Sequence, residues 1–247
     1  MAIWAIADLH LSQANPEKDM AFFGPQWEGY MDKMAKAWDE KIKPDDLVLL
    51  PGDISWAMRL EEARADLEWI HARPGKKVMI RGNHDYWWSS PKKMSLAFPP
   101  SVHFIHNTAF HWNEVAIGGS RLWDTPEYSF ASYIHFHENK KEKAAPPNEE
   151  GDAVIFSREL ERLKLSLRQM DRRAKCKIVM THYPPIGADL APSRTSEILE
   201  EFGVQICLFG HLHNLKKEMP LFGKARGVDY ILTACDYTDF TPICVYK

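Results

Sequence analysis

Lys77-Val78-Met79-Ile80-Arg81-Gly82-Asn83-His84-Asp85 is a short, mostly apolar run that turns straight into a glycine and three residues able to hold a cation or carry a proton. The run has strand length, and its continuous apolarity suits a strand covered on both faces. The same succession recurs along the chain. The run at 3–7 is followed by Asp8 and His10, the run at 47–50 by Pro51-Gly52-Asp53, the run at 178–181 by His182, and the run at 206–209 by Gly210-His211-Leu212-His213. The carboxyl ends of strands in an open α/β sheet form the crevice where ligands collect, so the five segments are expected to converge on one place.

Further apolar runs lie at 102–106, 114–118, 230–234 and 242–246. Three stretches between runs carry apolar residues at helical spacing: Trp27, Met31, Met34 and Trp38; Leu60, Ala63, Leu67 and Ile70; Leu160, Leu163, Leu167 and Met170, the last with Ser157 placed to cap it. The first half alternates strand and helix, whereas the stretch after Tyr230 reads as two strands in succession. The fold class is therefore α/β, a mixed sandwich with some antiparallel pairing, in a single domain spanning 1–247. One irregular insertion stands apart at about 121–152. There Trp123, Tyr128, Phe130, Tyr133 and Phe136 give way to Lys140-Lys141-Glu142-Lys143 and Pro146-Pro147-Asn148. Long insertions in compact domains are functional or mobile, and a flap beside the site is the reading adopted over a surface excursion.

Composition bounds the function. The 247 residues, 45% hydrophobic and 26% charged, are enough to bury a sizeable core. A formal net charge of -3 supplies no strong positive field, so nucleic acid is not an expected partner. The apolar run after Met1 has no basic leader and is far shorter than the roughly 20 residues of a membrane span, so no membrane association is expected. Cys176, Cys207, Cys235 and Cys244 are far apart with no C-x-x-C pair, which fits free thiols in a reducing cytoplasm. Nothing in the sequence specifies an oligomeric state.

A single Asp-x-His or Gly-Asp is weak evidence, since turns with solvated histidines are common. His211 and His213 say more, because alternation along an extended segment turns both rings to one side. The five segments in this order resemble the signature of the calcineurin-like metallophosphoesterase superfamily: Asp8-x-His10, Gly52-Asp53, Gly82-Asn83-His84-Asp85, His182 and Gly210-His211-x-His213. The resemblance implies a four-layer αββα sandwich of mixed sheets and two metal ions. It places Asp8, His10 and His213 on the first metal, Asn83, His182 and His211 on the second, and Asp53 between them.

The residue types suit such chemistry. Carboxylate, imidazole and amide oxygen without thiolate select a borderline divalent ion such as manganese, iron, zinc, cobalt or nickel. A bridging carboxylate would hold two cations roughly 3.5–4 Å apart, and a hydroxide shared by them would attack phosphorus in line. His84, left over once the ligands are counted, is the expected proton donor to the leaving oxygen, with its neighbour Asp85 orienting the ring. Trp87, Trp88 and Trp123 are candidates for a substrate cleft or for the core, alongside Trp56, Tyr86 and Tyr183. Arg81 is read as a salt-bridge partner at a strand end, with a phosphate contact the alternative.

Protein Ser/Thr phosphatases of this superfamily continue the second motif as Gly-Asp-x-Val-Asp-Arg-Gly. This chain continues Gly52-Asp53-Ile54-Ser55-Trp56-Ala57-Met58 and lacks that arginine. A small phosphomonoester or phosphodiester is therefore the expected substrate. A nuclease would want a basic stripe, of which only scattered runs such as Arg172-Arg173-Ala174-Lys175 appear. A scaffold without activity would have lost ligands that this chain retains.

Overall fold

Alternate residues of the apolar runs serve different cores, and this alternation layers the molecule. The computed structural model describes residues 1–18, 20–135, 149–216, 219 and 221–247. In chain order the elements are β1 (Ile3–Ala5), α1 (Tyr30–Lys41), β2 (Leu47–Leu50), α2 (Leu60–His71), β3 (Lys76–Met79), α3 (Pro91–Ala97), β4 (Val102–Phe104), β5 (Phe110–Trp112) and β6 (Val115–Ser120). There follow α4 (Glu149–Arg168), β7 (Cys176–Thr181), α5 (Arg194–Glu201), β8 (Ile206–Phe209), β9 (Gly223–Ala225), β10 (Val228–Leu232) and β11 (Ile243–Tyr246).

The strands form two sheets, ordered β11-β1-β2-β3-β4 and β5-β6-β7-β8-β10-β9. Pairing is parallel within β1-β2-β3-β4 and β6-β7-β8-β10, and antiparallel where β11, β5 and β9 join at the edges. In β2, Leu47 and Leu49 face the second sheet, whereas Val48 and Leu50 face α1 and α2. In β7, Ile178 and Met180 meet the first sheet and Val179 meets the α4 side. Three apolar cores separate four layers, helix–sheet–sheet–helix, which is the αββα sandwich. Strands buried on both faces cannot alternate polar with apolar residues, which explains the continuous runs.

All three helical patterns are present, with Trp27 in a short 3-10 turn ahead of α1 yet buried beside Met34 and Trp38, and with Met170 just past the end of α4 yet buried with Leu160, Leu163 and Leu167. Ser157 is not a cap. The helix that carries it begins eight residues earlier, and its hydroxyl donates back to the Ala153 carbonyl at 2.8 Å. Cys176, Cys207 and Cys235 are buried free thiols, while Cys244 is exposed on the edge strand β11. Among the described residues no helix is long and apolar enough to cross a membrane.

Of the insertion expected at 121–152, residues 136–148 lie outside the described residues. Its first part is anchored to the loops at the strand ends. Ile134 bridges to Leu215, Tyr128 donates its hydroxyl to Pro184 O at 2.7 Å, and Trp123 donates to Asp152 at 2.8 Å.

Candidate metal centre

Asp8 and His10 follow β1, Asp53 follows β2, Asn83 and His84 follow β3, His182 follows β7, and His211 and His213 follow β8. The parallel strands of both sheets end on the same side, so five loops meet there. The turns are tight: Asp8, His10, Asp53 and His211 adopt left-handed φ values of 58°, 44°, 52° and 70°. Such conformations cost on the order of 1–3 kcal/mol each and persist only where the surroundings enforce them. Here backbone bonds between loops do so, with Asp8 N donating to Gly52 O and His10 N to Asp53 O, both at 3.0 Å. Glycine is required at 82 for a different reason. A Cβ there would sit on Asp53 Oδ1 and its backbone nitrogen.

The side chains point inward. Asn83 Oδ1 is 2.6 Å from His182 Nε2 and 3.1 Å from His211 Nδ1. Asp53 Oδ2 stands between the two halves, 3.8 Å from His10 Nε2 and 3.5 Å from His182 Nε2. His10 Nε2 and His213 Nε2 are 3.3 Å apart, and His213 Nε2 is 3.9 Å from Asp8 Oδ1. Asp8, His10 and His213 offer ligand atoms within 4.8 Å of one another, as do Asp8, Asp53 and His182.

Proton positions make this a cation site. His182 Nδ1 lies 3.1 Å from Pro51 O, a carbonyl that can only accept, so the ring proton sits there and Nε2 presents a lone pair. Burial holds the His182 imidazole down at about 3, so the ring is neutral. Its lone pair then faces the oxygens of Asn83 and Asp53 with no donor between them. His10 Nδ1 is buried without a partner among the described residues, and burial followed by the charge of His213 keeps that ring neutral too. Burial raises the Asp53 carboxyl among these acceptors, and a cation held between them would offset that cost. Neighbouring ligands on a metal with bonds of about 2.1 Å stand roughly 3–3.5 Å apart, close to the separations seen.

Burial would lower the His213 imidazole, but the Asp236 charge and hydrogen bond, with Asp8 and Asp53, carry it up to about 9. Asp236 accepts from His213 Nδ1 at 2.8 Å and from Asn214 N at 3.0 Å. It is absent from the residues anticipated above, although it follows the run at 230–234 just as the others follow theirs.

Asp85 does not orient the His84 ring. Its Oδ1 accepts from Ile54 N, Ser55 N and Trp87 Nε1, and its Oδ2 from Gly82 N, so it ties the loop after β3 to the loop after β2. Burial and then the Asp53 charge push its carboxyl up to about 7, against the pull of those donors. His84 donates its backbone nitrogen to Asp53 Oδ1 at 2.9 Å, and among the described residues neither ring nitrogen is hydrogen-bonded. The ring lies 4.6 Å from Trp56, which also stacks on His10 at 5.0 Å. Trp87 is core, 2% exposed. Trp123 instead lines a cavity of about 330 Å³ with Tyr128, Phe130, Tyr183 and His211.

Comparison with known proteins bears directly on this geometry. The family model for calcineurin-like phosphoesterases matches residues 1–215, which takes in all five loops. The chain belongs to the calcineurin-like phosphoesterase family. The Gene 66 protein of Mycobacterium phage D29 is 36% identical over 83 residues, 34% of this chain and 40% of that protein. The Gene 66 protein of Mycobacterium phage L5 is 37% identical over 82 residues, 33% and 39% respectively. The aligned part is thus about two-fifths of the length of these relatives. Among solved structures, the phosphopantetheinyl hydrolase from Mycobacterium tuberculosis superposes with a TM-score of 0.52, covering 98% of this chain and 95% of that one at 15% identity. That likeness is one of fold.

Proposed function

We propose that this calcineurin-like phosphoesterase is a dinuclear hydrolase of small phosphomonoesters or phosphodiesters, with Asp8, His10 and His213 holding one divalent ion, Asn83, His182 and His211 the other, and Asp53 both. The observation that carries the reading is the set of acceptor atoms, His182 Nε2, Asn83 Oδ1 and Asp53 Oδ2, turned toward one another. Divalent ions held there supply activation of water for attack on phosphorus and neutralise charge gathering on the phosphoryl oxygens. The chain's own residues do the rest. Pro51 O and Asp236 fix the tautomers of His182 and His213, so each presents Nε2 inward. His84, held by its backbone to Asp53 and by Trp56 against its ring, gives a proton to the departing oxygen. The insertion acts as a wall of the substrate cleft through Trp123 and Phe130.

The test is metal analysis with hydrolysis of p-nitrophenyl phosphate and bis-p-nitrophenyl phosphate, for the native chain and Asp53→Asn. Two ions per chain and loss of turnover in the variant are expected. Full turnover by metal-free protein would overturn the reading. His84→Asn is expected to lose about 10²–10⁴-fold on alkyl esters, whose leaving groups need a proton, and far less on p-nitrophenyl esters. An equal loss on both would remove His84 from that role.

A further inference from the structure

Beside the metal centre, in the seam between the sheets, three guanidinium groups line a cavity that holds a single carboxylate among its described residues. Arg81 comes from the loop after β3, Arg121 from the loop after β6, and Arg162 from α4; all three line a cavity of about 80 Å³, with His106. One water needs about 10–15 Å³, so the space admits a group of several atoms.

The only carboxylate among the described lining residues is Glu159, 2% exposed, and it is already engaged. Arg162 Nη1 reaches it at 2.7 Å, Arg121 Nη2 at 3.5 Å, Arg158 Nε at 3.8 Å, and the Ser120 hydroxyl at 3.1 Å. Arg81 has no hydrogen bond or ion pair from its side chain among the described residues, and its Nε is buried. A buried guanidinium donor without an acceptor is costly, and crowding it against two others adds repulsion. His106 accepts from Trp88 Nε1 through Nδ1 at 3.3 Å, which leaves Nε2 as its proton-bearing nitrogen. Apart from the amide of Asn107, the side-chain groups left over here are donors or positive charges.

The cavity adjoins the reaction site. Arg81 lies two residues before Asn83, and the backbone carbonyl of Arg121 accepts from His182 N at 3.1 Å and Tyr183 N at 3.0 Å. We propose that Arg81, Arg121 and Arg162 form an oxyanion subsite for a second negatively charged group of the substrate, a phosphate or carboxylate distinct from the phosphate that is cleaved. The inference rests on the hydrolase reading above and narrows its substrates to phosphoesters that carry another anion. Free inorganic phosphate shares the chemistry, and the two sources separate by experiment.

In the first arm, inorganic phosphate is titrated calorimetrically into metal-stripped full-length protein. One phosphate per chain is expected, weakened at least tenfold by Arg81→Gln, with Arg81→Lys between because it keeps the charge and loses the fork. No binding, or equal binding by Arg81→Gln, overturns the subsite. The melting temperature of Arg81→Gln without phosphate is expected to equal or exceed that of the native chain, since no partner within the protein is lost; a fall would mark a structural role instead. In the second arm, metal-loaded protein is given α,ω-alkanediyl bisphosphates of two to six carbons and the matched alkyl monophosphates. The best bisphosphate is expected to exceed its monophosphate at least tenfold in kcat/KM, a ratio that collapses toward one in Arg81→Gln. Phosphate binding without any bisphosphate preference overturns the substrate role and leaves a site for free phosphate. Release of phosphate from neither class overturns the substrate role, and if bis-p-nitrophenyl phosphate is left intact as well the hydrolase reading falls with it; the first arm still tells either failure from the absence of an anion site.

Discussion

Asp236 decides which nitrogen of His213 is left to face Asp8, because its carboxylate takes the Nδ1 proton at 2.8 Å. Partners of this kind fix ligand orientation and raise ligand basicity, and their loss typically costs 10–100-fold in metal affinity. Asp236→Asn is therefore expected to weaken metal binding about 10–100-fold while leaving the fold intact, as measured by competition with a chelator. An unchanged affinity would reduce Asp236 to a loop fastener for Asn214 N. At this scale the sequence was informative about residue type and position. Asp8, His10, Asp53, Asn83, His182, His211 and His213 stand together because each follows a strand. It was uninformative about partners. Asp85 is adjacent to His84 in the chain, but its oxygens are consumed by Ile54, Ser55, Gly82 and Trp87, and no local pattern announces a four-donor knot. Arg81 shows the converse, a strand-end arginine that makes no ion pair among the described residues and whose Nε is left without a hydrogen bond.

Among the elements, β3 carries an unusual burden in Lys77, a fully enclosed lysine. Its ammonium reaches the carbonyls at the end of α2, those of Arg73 and His71, where the helix dipole favours a positive charge. Burial, then the Arg73 charge, brings it from an ordinary 10.5 down to about 8. Above pH 8 the folded chain releases this proton while the unfolded chain keeps it to about 10.5. The unfolded state then binds more protons, so this residue makes stability rise with pH across that window. Urea unfolding of Lys77→Met and the native chain at pH 7.5 and pH 10 isolates the effect, since the buried thiols and phenols titrate alike in both. The stability difference is expected to move toward the native chain by at most about 3 kcal/mol, at 1.36 kcal/mol per unit. A difference independent of pH would refute the assignment. Elements with long apolar runs were legible in the sequence, and short ones were not. β5 and β9 span three residues each at sheet edges, where one face meets water and no run is needed. α5 buries Ile198 and Leu199 in a helix of little more than two turns, too few for a period to emerge. Ser157 misled because a hydroxyl that can cap a helix can equally bond one turn back within it.

For the molecule as a whole, the middle core between the sheets is the layer without helices, filled by residues such as Ile3, Leu49, Val78, Ile178 and Leu208. Leu208→Ala there is expected to cost about 2–5 kcal/mol, read from the denaturation midpoint, since neither sheet can collapse into the gap without disturbing its pairing. Which run joins which sheet was not legible in the sequence, because runs buried on both faces look alike whichever sheet they join. Those strand ends have a mechanical side. β1, β2 and β3 bring Asp8, His10, Asp53 and Asn83 from one sheet, and β7 and β8 bring His182, His211 and His213 from the other. Each proposed ion would thus be gripped from both halves, like a rivet through two plates. A chelator should then loosen the sandwich as well as silence it, lowering the melting temperature in a way that added metal reverses. Two fragments divided between β4 and β5 would each carry an incomplete grip, and their reassociation would depend on the concentration of divalent metal.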